Sequence, residues 1–184
     1  MHEASVYFKK FLESEKWKHS YSAEKLSGEN KSYRAKAHRF QFAPGKEDYK
    51  DAAKIRNLTM VAGDSRFADR YFKKNSFHLI AGDLPYGVAH GNVAGEWRSA
   101  AGKMSNSLTR NPKELLCACL PAWRKVLKPG GAVALSWNTF VLPKREMAEV
   151  LEQNGFAVLT GGPYDMFEHR VDQAIKRDII VACK

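Results

Sequence analysis

The sequence FHLIAGDLPYG at residues 77–87 carries the clearest indication of both fold and chemistry in this chain of 184 residues. Residues 77–81 form a short run that is apolar except for His78, which is typical of a strand buried on both faces of a parallel sheet. The run leads directly into Gly82 and Asp83, and a proline and a tyrosine follow. Ligands bind beyond the carboxyl ends of the strands in open parallel sheets, so the motif is predicted to lie at a ligand site.

The four residues Asp83, Leu84, Pro85 and Tyr86 suit methylation of an exocyclic amine on a planar base. Such an amine is a weak nucleophile because its lone pair is delocalised into the ring. The Asp83 carboxylate and the Leu84 carbonyl can accept its two N–H groups and turn the lone pair towards an electrophile. Pro85 stiffens the turn, and Tyr86 can stack on the base. The alternative is a strand-end turn with a buried tyrosine.

The rest of the chain from residue 57 alternates short apolar strands with amphipathic helices. This pattern predicts an α/β fold with a mostly parallel sheet covered on both faces. The predicted strands are 58–62, 77–81, 132–137, 156–160 and 178–183, and the predicted helices are 67–73, 112–127 and 144–154.

The N-terminal part has a different pattern. Residues 3–16 have apolar side chains at helical spacing. In residues 19–42, apolar and polar residues tend to alternate, as in a strand, rather than to follow the helical period. The turn at Ser27-Gly28-Glu29-Asn30 predicts a β-hairpin made of residues 19–26 and 31–42. A short helix is predicted at 46–53. The expected organisation is one domain, with the helix and hairpin in 1–56 and the α/β region in 57–184.

Composition places the chain among ordinary globular proteins, with 44% hydrophobic and 27% charged residues. No run approaches the ~18 apolar residues of a membrane span. Residues 1–18 lack the apolar core of a signal peptide, so we expect a cytoplasmic protein without a membrane partner. The three cysteines and six histidines show neither disulfide nor metal-ligand spacing.

The formal net charge of +10 favours a polyanionic partner, although a basic surface without a partner is an equal alternative. The segment 31–46 contains no acid. Its cations are Lys31, Arg34, Lys36, Arg39 and Lys46, and its aromatic residues are Tyr33, Phe40 and Phe42. Cations interleaved with aromatic residues suit single-stranded nucleic acid. An edge strand defended by charge has the same pattern.

Other candidate site residues follow strands or lie in the glycine-rich loop after the motif. Asp64 follows a predicted strand and could accept a hydrogen bond from an adenine amino group, or cap the next helix. His90 could bind a substrate phosphate or anchor its loop. Arg98 and Lys103 could hold RNA or be merely solvated. Asn138, at the end of the strand at 132–137, could contact the target base or cap the next turn.

The sequence from Asp83 to Gly87 resembles the Asp-Pro-Pro-Tyr catalytic motif of class I S-adenosylmethionine-dependent amino-methyltransferases. The leucine variant followed by glycine is similar to the tRNA guanine-N2 methyltransferases. Gly63-Asp64 resembles the end of that family's third strand, and Lys128-Pro129-Gly130-Gly131 resembles the turn before its fifth. The final helix and two strands resemble its closing elements, so the resemblance covers 57–184.

The resemblance implies S-adenosyl-L-methionine as cofactor, bound at Asp64 and Asp83, and guanine N2 in tRNA as the methylated group. One feature of the family has no match: neither the glycine-rich loop after its first strand nor the acid that ends its second occurs here. The expected fold is therefore a Rossmann-like class I methyltransferase sheet, incomplete at its N-terminal end, with the β-hairpin as an insertion.

Two consequences follow for partners and activity. Without those two strands, the strand at 58–62 either pairs with another strand of this chain or leaves an open edge. A missing N-terminal segment or a second chain could fill that edge, and a second copy of this chain would make a homo-oligomer. The alternative hypothesis for function is a non-catalytic or truncated domain that binds RNA without methylating it.

Overall fold

The structure is a computed structural model that describes residues 2–84, 112–173 and 175–184. The chain divides into two compact units, Met1–Phe67 and Ala68–Lys184. The boundary falls after the strand predicted at 58–62, whereas the sequence pattern groups that strand with the α/β region. No helix of the described residues is long and apolar enough to cross a membrane.

The first unit is a three-stranded antiparallel sheet with one long helix. Its strands pair in the order β1-β2-β3, with β2 in the centre. The elements are α1 (His2–Ser14), β1 (Lys18–Ser27), β2 (Arg34–Ala43), α2 (Lys46–Lys50) and β3 (Arg56–Gly63), with 3₁₀ turns at Glu29–Lys31 and Ser65–Phe67. The antiparallel pair β1–β2 lies where the sequence predicts a hairpin, and runs from Lys18 opposite Ala43 to Ser27 opposite Arg34.

The pairing of β3 matches one of the two alternatives that the sequence leaves open. The apolar run 58–62 pairs outside a parallel sheet: β3 pairs antiparallel with β2, with Leu58 opposite Phe40. A short apolar run indicates a buried strand without indicating its neighbour. Because β2 and β3 are consecutive in the chain, their antiparallel pairing satisfies the strand edge without a crossover.

An aromatic cluster joins α1 to the sheet. Phe8 of α1 makes edge-to-face contacts with Phe40, at 5.1 Å between ring centroids, and with Phe42, at 5.4 Å. Trp17 stacks on Phe42 at 5.9 Å. Phe40 and Leu12 are buried. Aromatic pairs of this geometry each contribute ~0.5–1.5 kcal/mol beyond their buried area, so this cluster fixes the helix on one face of the sheet.

A buried histidine lies on the same face of the sheet. His38 is 1% exposed, and its Nδ1 lies 2.7 Å from the hydroxyl of Tyr21. Its Nε2 is buried without a hydrogen-bond partner among the described residues. Burial lowers the pKa of His38, and the positive charges of Lys36 and His2 lower it further. The neutral imidazole is therefore the form that the folded unit favours.

This histidine predicts an acid-sensitive fold. Below its ordinary pKa of 6.5, the unfolded chain binds a proton that the folded chain does not. The free energy of unfolding is therefore expected to fall as the pH drops through about 6.5, and to be restored above it. Urea unfolding between pH about 5.5 and about 7.5 measures this. His38→Phe should flatten the pH dependence, and exposed His169→Gln should not. An unchanged profile in His38→Phe would refute the assignment.

The second unit contains a mixed sheet with one parallel pair. Its strand order is β4-β5-β8-β6, with β7 also paired to β8. The elements are α3 (Ala68–Tyr71), β4 (Phe77–Asp83), α4 (Pro112–Val126), β5 (Leu127–Asn138), α5 (Lys144–Gln153), β6 (Ala157–Val158), β7 (His169–Arg170) and β8 (Lys176–Cys183). Only β4 and β5 are parallel among the described strands, so the expectation of a mostly parallel sheet is wrong.

The glycines before the predicted strand at 132–137 lie inside β5, where they form an irregularity rather than a turn. Phe77 pairs with Leu127 and Leu79 pairs with Ala132, so the register of β4 and β5 shifts between them. A Cβ on Gly131 would lie 2.9 Å from the Lys128 carbonyl oxygen and 3.1 Å from that of His78. Only glycine allows the strands to approach this closely at the bulge.

The core of the second unit packs α4 and α5 against β5 and β8. Its largest member is Trp137, which is fully buried and donates from Nε1 to the Leu142 carbonyl oxygen at 2.7 Å. Leu84, the residue after β4, also belongs to this core. The other buried members include Leu116, Leu120, Leu127, Val133, Leu135, Met147, Val150, Leu151, Phe156 and Ile180. This core holds the end of β4 in place.

Candidate active site

The parallel pair β4–β5 positions the acid of the motif. Asp83, the last residue of β4, is exposed and lies opposite Ser136 of β5. The Leu84 amide donates to the Ser136 carbonyl oxygen at 2.8 Å, so the pairing continues one residue beyond the strand. This places Asp83 at the carboxyl edge of the two parallel strands, where α/β sheets bind ligands.

Leu84 anchors the motif from the inside. Its side chain is 7% exposed and packs in the core of the second unit, whereas the neighbouring Asp83 is exposed. Successive side chains of an extended chain point to opposite faces, so burying Leu84 turns Asp83 outwards. The sequence therefore folds locally to present a carboxylate on a backbone held by both a hydrogen bond and a core contact.

Five of the sequence-predicted site residues lie outside the described residues. These are Pro85, Tyr86, His90, Arg98 and Lys103. Their roles as stacking, turn-stiffening and RNA-binding residues stay predictions. Of the motif itself, the structure describes Asp83 and Leu84.

Asp64 belongs to the first unit and is bound by its own neighbour. Its Oδ1 accepts from the Arg66 amide and from Arg66 Nε, both at 3.0 Å. Its Oδ2 accepts from Arg66 Nε at 2.9 Å and Nη2 at 2.5 Å. Phe67 N donates to the Asp64 carbonyl oxygen at 3.0 Å. These contacts are those of a cap on the 3₁₀ turn Ser65–Phe67, which is the alternative weighed against cofactor binding.

The ion pair also sets the ionisation of Asp64. Burial raises the pKa of this carboxyl, but the side-chain and backbone hydrogen bonds from Arg66 outweigh burial, and the pKa lies below its ordinary value. Three donors of Arg66, its amide, Nε and Nη2, bind this carboxylate. An adenine amino group would compete with them for the oxygens of Asp64.

Asn138 ends β5 and joins it to the start of β8. It is 2% exposed, and its Oδ1 accepts from the Phe140 amide and from the Lys176 amide, both at 3.2 Å. These contacts match the turn-capping alternative for this residue. Its contact with a target base stays a prediction.

A buried ion pair near the same edge was not anticipated from the sequence. Asp178 of β8 is 1% exposed and lies opposite Trp137, and its Oδ2 is 3.0 Å from Lys144 Nζ at the start of α5. Its Oδ1 accepts from the Ile179 amide at 2.7 Å. Asp178 begins an apolar run in the sequence, and nothing in the pattern links it to Lys144. The pair fastens α5 to the end of the sheet that carries Asp83.

The two halves of this ion pair are expected to differ in their effect on stability. Lys144→Met leaves the buried Asp178 carboxyl without its nearby cation and should lower the free energy of unfolding by ~1–3 kcal/mol. Asp178→Asn leaves Lys144, whose side chain is 39% exposed, free to reach water, so its loss should be clearly smaller. Urea unfolding followed by circular dichroism measures both. Equal losses would contradict the assignment of the buried charge to Asp178.

The described residues offer no metal site. No group of three or more histidine, cysteine, aspartate or glutamate side chains among them could hold a metal ion.

Among known proteins, the chain is similar only to solved structures. No protein-family model and no curated protein matches the chain. Three similar structures are of one candidate DNA modification methylase of Thermus thermophilus: a selenomethionine derivative, a complex with S-adenosyl-L-methionine, and a third structure of the same protein. Their identities to this chain are 17%, 17% and 16%, and their TM-scores are 0.39, 0.38 and 0.38. They cover 66%, 66% and 67% of this chain. The chain covers 50%, 53% and 52% of them, about half their length.

Proposed function

We propose that this chain contains the catalytic region of an S-adenosyl-L-methionine-dependent methyltransferase acting on an exocyclic amine of a nucleic-acid base, with guanine N2 in tRNA as the methylated group. The observation that carries the proposal is the exposed Asp83 at the carboxyl end of β4, followed by the buried Leu84 and the sequence Pro85-Tyr86-Gly87. A Rossmann-like methyltransferase sheet that is incomplete at its N-terminal end is the fold we associate with this motif.

The motif supplies orientation rather than a strong base. The Asp83 carboxylate and the Leu84 carbonyl accept the two N–H groups of the amine, so the nitrogen lone pair leaves the plane of the ring. Tyr86 stacks on the base, and Pro85 stiffens the turn without offering a competing donor. Fixing the amine in this geometry lowers the barrier through positioning and electrostatics.

When bound, the cofactor would supply an electrophilic methyl group to the amine nitrogen, and its sulfur would keep the electron pair of the broken S–C bond. Asp83 fits a role beside this centre because its side chain is exposed at the end of β4. At Asp64, the adenine amino group would compete with the Arg66 side chain. After transfer, the surplus proton on the nitrogen passes to the Asp83 carboxylate or to water.

An RNA substrate is supported by charge. The chain carries 30 lysine and arginine residues against 20 acids, and such an excess favours binding to phosphates. His90, Arg98 and Lys103 follow the motif in sequence and are proposed to hold the RNA. Asn138 is proposed to contact the target base from the turn that it caps.

Nucleoside analysis tests the proposal. The chain is incubated with unmodified tRNA and methyl-labelled S-adenosyl-L-methionine, and the RNA is digested to nucleosides for mass spectrometry. We expect the label in N2-methylguanosine. Label on another base, or on a DNA substrate in preference to tRNA, would contradict the guanine-N2 assignment.

A second candidate function is RNA binding without methylation. Two observations favour it: the glycine-rich loop that follows the family's first strand has no match in the sequence, and Asp64, which follows β3 of the antiparallel sheet, is bound by Arg66. This candidate predicts RNA binding that depends strongly on salt and does not change with S-adenosyl-L-methionine. Cofactor-dependent transfer to RNA would exclude it.

A further inference from the structure

Three cations share one face of the sheet in the first unit. Lys25 of β1 lies directly opposite Lys36 of β2, and Arg34 lies two residues before Lys36 on the same strand. Residues two apart on a strand, and residues directly opposite, point to the same face. All three side chains are exposed. We call Lys25, Arg34 and Lys36 the cationic face.

The cationic face is unfavourable for the isolated fold. Like charges directly opposite each other in an antiparallel pair are destabilising. Within the described part of the chain, no carboxylate forms an ion pair with any of the three. In contrast, Arg39 on the other face of β2 pairs with Glu24 at 2.6 Å.

The position of β2 rules out the alternative explanation of its charges. Charged side chains on an edge strand prevent pairing with other chains. However, β2 is the central strand of the sheet and pairs with β1 and β3 on its two sides. Two of the three cations lie on this strand, so Arg34 and Lys36 do not serve to protect an edge.

The aromatic residues of the same segment pack against other rings of the first unit. Phe40 is 1% exposed under Phe8 of α1, and Phe42 contacts both Phe8 and Trp17. Tyr33 packs against Phe67 at 5.3 Å. These rings are therefore not presented for stacking on unpaired bases, and the contact left to this surface is with phosphate groups.

We propose that the cationic face docks the phosphate backbone of the RNA substrate. The inference rests on the proposed function for the identity of the RNA, and goes beyond it by assigning a docking surface in the first unit. Lys25 and Lys36 together create a concentrated positive charge, and Arg34 extends it along β2. Phosphates placed there relieve the repulsion between the lysines, and binding releases counterions from the RNA.

Fluorescence anisotropy with labelled tRNA, without cofactor, tests the proposal. The triple substitution Lys25→Gln, Arg34→Gln, Lys36→Gln removes the cationic face. The matched control, Lys10→Gln, Lys16→Gln, Lys46→Gln, removes the same charge from other exposed positions of the first unit. Affinity is measured from about 50 to about 200 mM KCl. Circular dichroism and thermal melting establish that both variants are folded.

Each phosphate contact adds ~0.7–0.9 to the slope of log K against log salt concentration. The cationic-face variant is therefore expected to lose about two to three from that slope, and at least about tenfold in affinity at the lowest salt. The control should keep most of both. The cationic-face variant should also melt no lower than the parent chain, because the Lys25–Lys36 repulsion is gone.

Two results would overturn the inference, and they differ in what else they affect. Equal losses of tRNA affinity in the two triple variants would mean that only the overall charge of the chain matters, and not the position of these three cations. The proposed methyl transfer would be unaffected by that result. No tRNA binding by the parent chain at the lowest salt would overturn both.

Discussion

Replacing Asp83 by alanine is expected to lower methyl transfer to RNA by at least about a hundredfold, since a single preorganised hydrogen-bonding group contributes ~10²–10³ in rate. Without the carboxylate, one N–H of the target amine has no acceptor, and the lone pair returns to conjugation with the ring. The side chain is exposed at the end of β4, so the free energy of unfolding should change by no more than ~0.5 kcal/mol.

Two further variants sharpen the test of Asp83. Asp83→Asn keeps one carbonyl acceptor without the negative charge, and should retain more activity than the alanine variant. Glu152→Ala removes an exposed acid of α5 and should leave transfer unchanged. Transfer is measured as labelled methyl groups incorporated per chain under single-turnover conditions. Turnover by Asp83→Ala equal to that of Glu152→Ala would refute the role of the carboxylate.

Replacing Trp137 by alanine is expected to lower the free energy of unfolding of the second unit by ~3–5 kcal/mol. The indole is fully buried, and its Nε1 donates to the Leu142 carbonyl oxygen just before α5. The alanine variant loses the packing of the largest core side chain and leaves that carbonyl without its donor. Because stabilities of about 5–15 kcal/mol are usual, such a loss approaches complete unfolding.

Trp137→Phe separates packing from the hydrogen bond. It keeps much of the apolar volume but leaves the Leu142 oxygen unsatisfied, at a cost of ~1–3 kcal/mol. Urea unfolding followed by far-ultraviolet circular dichroism compares both variants with the parent chain, because tryptophan fluorescence changes with the substitution itself. A loss below ~1 kcal/mol in the alanine variant would contradict the placement of this residue at the centre of the core.

The elements of the second unit were largely predictable because their patterns are strong. The apolar run at 132–137 lies within β5, the run at 178–183 lies within β8, and the helix predicted at 144–154 is α5, Lys144–Gln153. Strands β5 and β8 extend beyond the predicted ranges, because β5 continues through its glycines and Lys176 and Arg177 join the ladder of β8. Strand β6 is shorter than predicted and covers only Ala157–Val158 of 156–160. Polar and glycine residues at strand ends carry no periodic signal.

Strand partners were less predictable than strands. The run at 58–62 is apolar in either environment, so its composition suits a parallel sheet as well as its antiparallel pairing with β2. The pairing depends on a second strand, β2, in which Phe40 lies opposite Leu58. Hydrophobic periodicity and composition describe one segment of the chain, whereas strand pairing depends on two segments together.

Side-chain contacts between neighbours in sequence were also more predictable than contacts between distant residues. The contact of Asp64 with Arg66 is local, and the alternative of a capping role was available from the sequence. The ion pair of Asp178 with Lys144 joins a strand to a helix distant in sequence, and no local pattern predicts it. The position of Asp83 at the end of β4 was predictable, because an acid follows directly on an apolar run.

Calorimetric titration of the chain with S-adenosyl-L-methionine, and with its demethylated product, tests the central claim most directly. The account predicts saturable binding of one molecule per chain in the micromolar range, weakened by Asp83→Ala. A titration without heat, by a chain whose circular dichroism shows the folded state, would contradict methyl transfer by this chain.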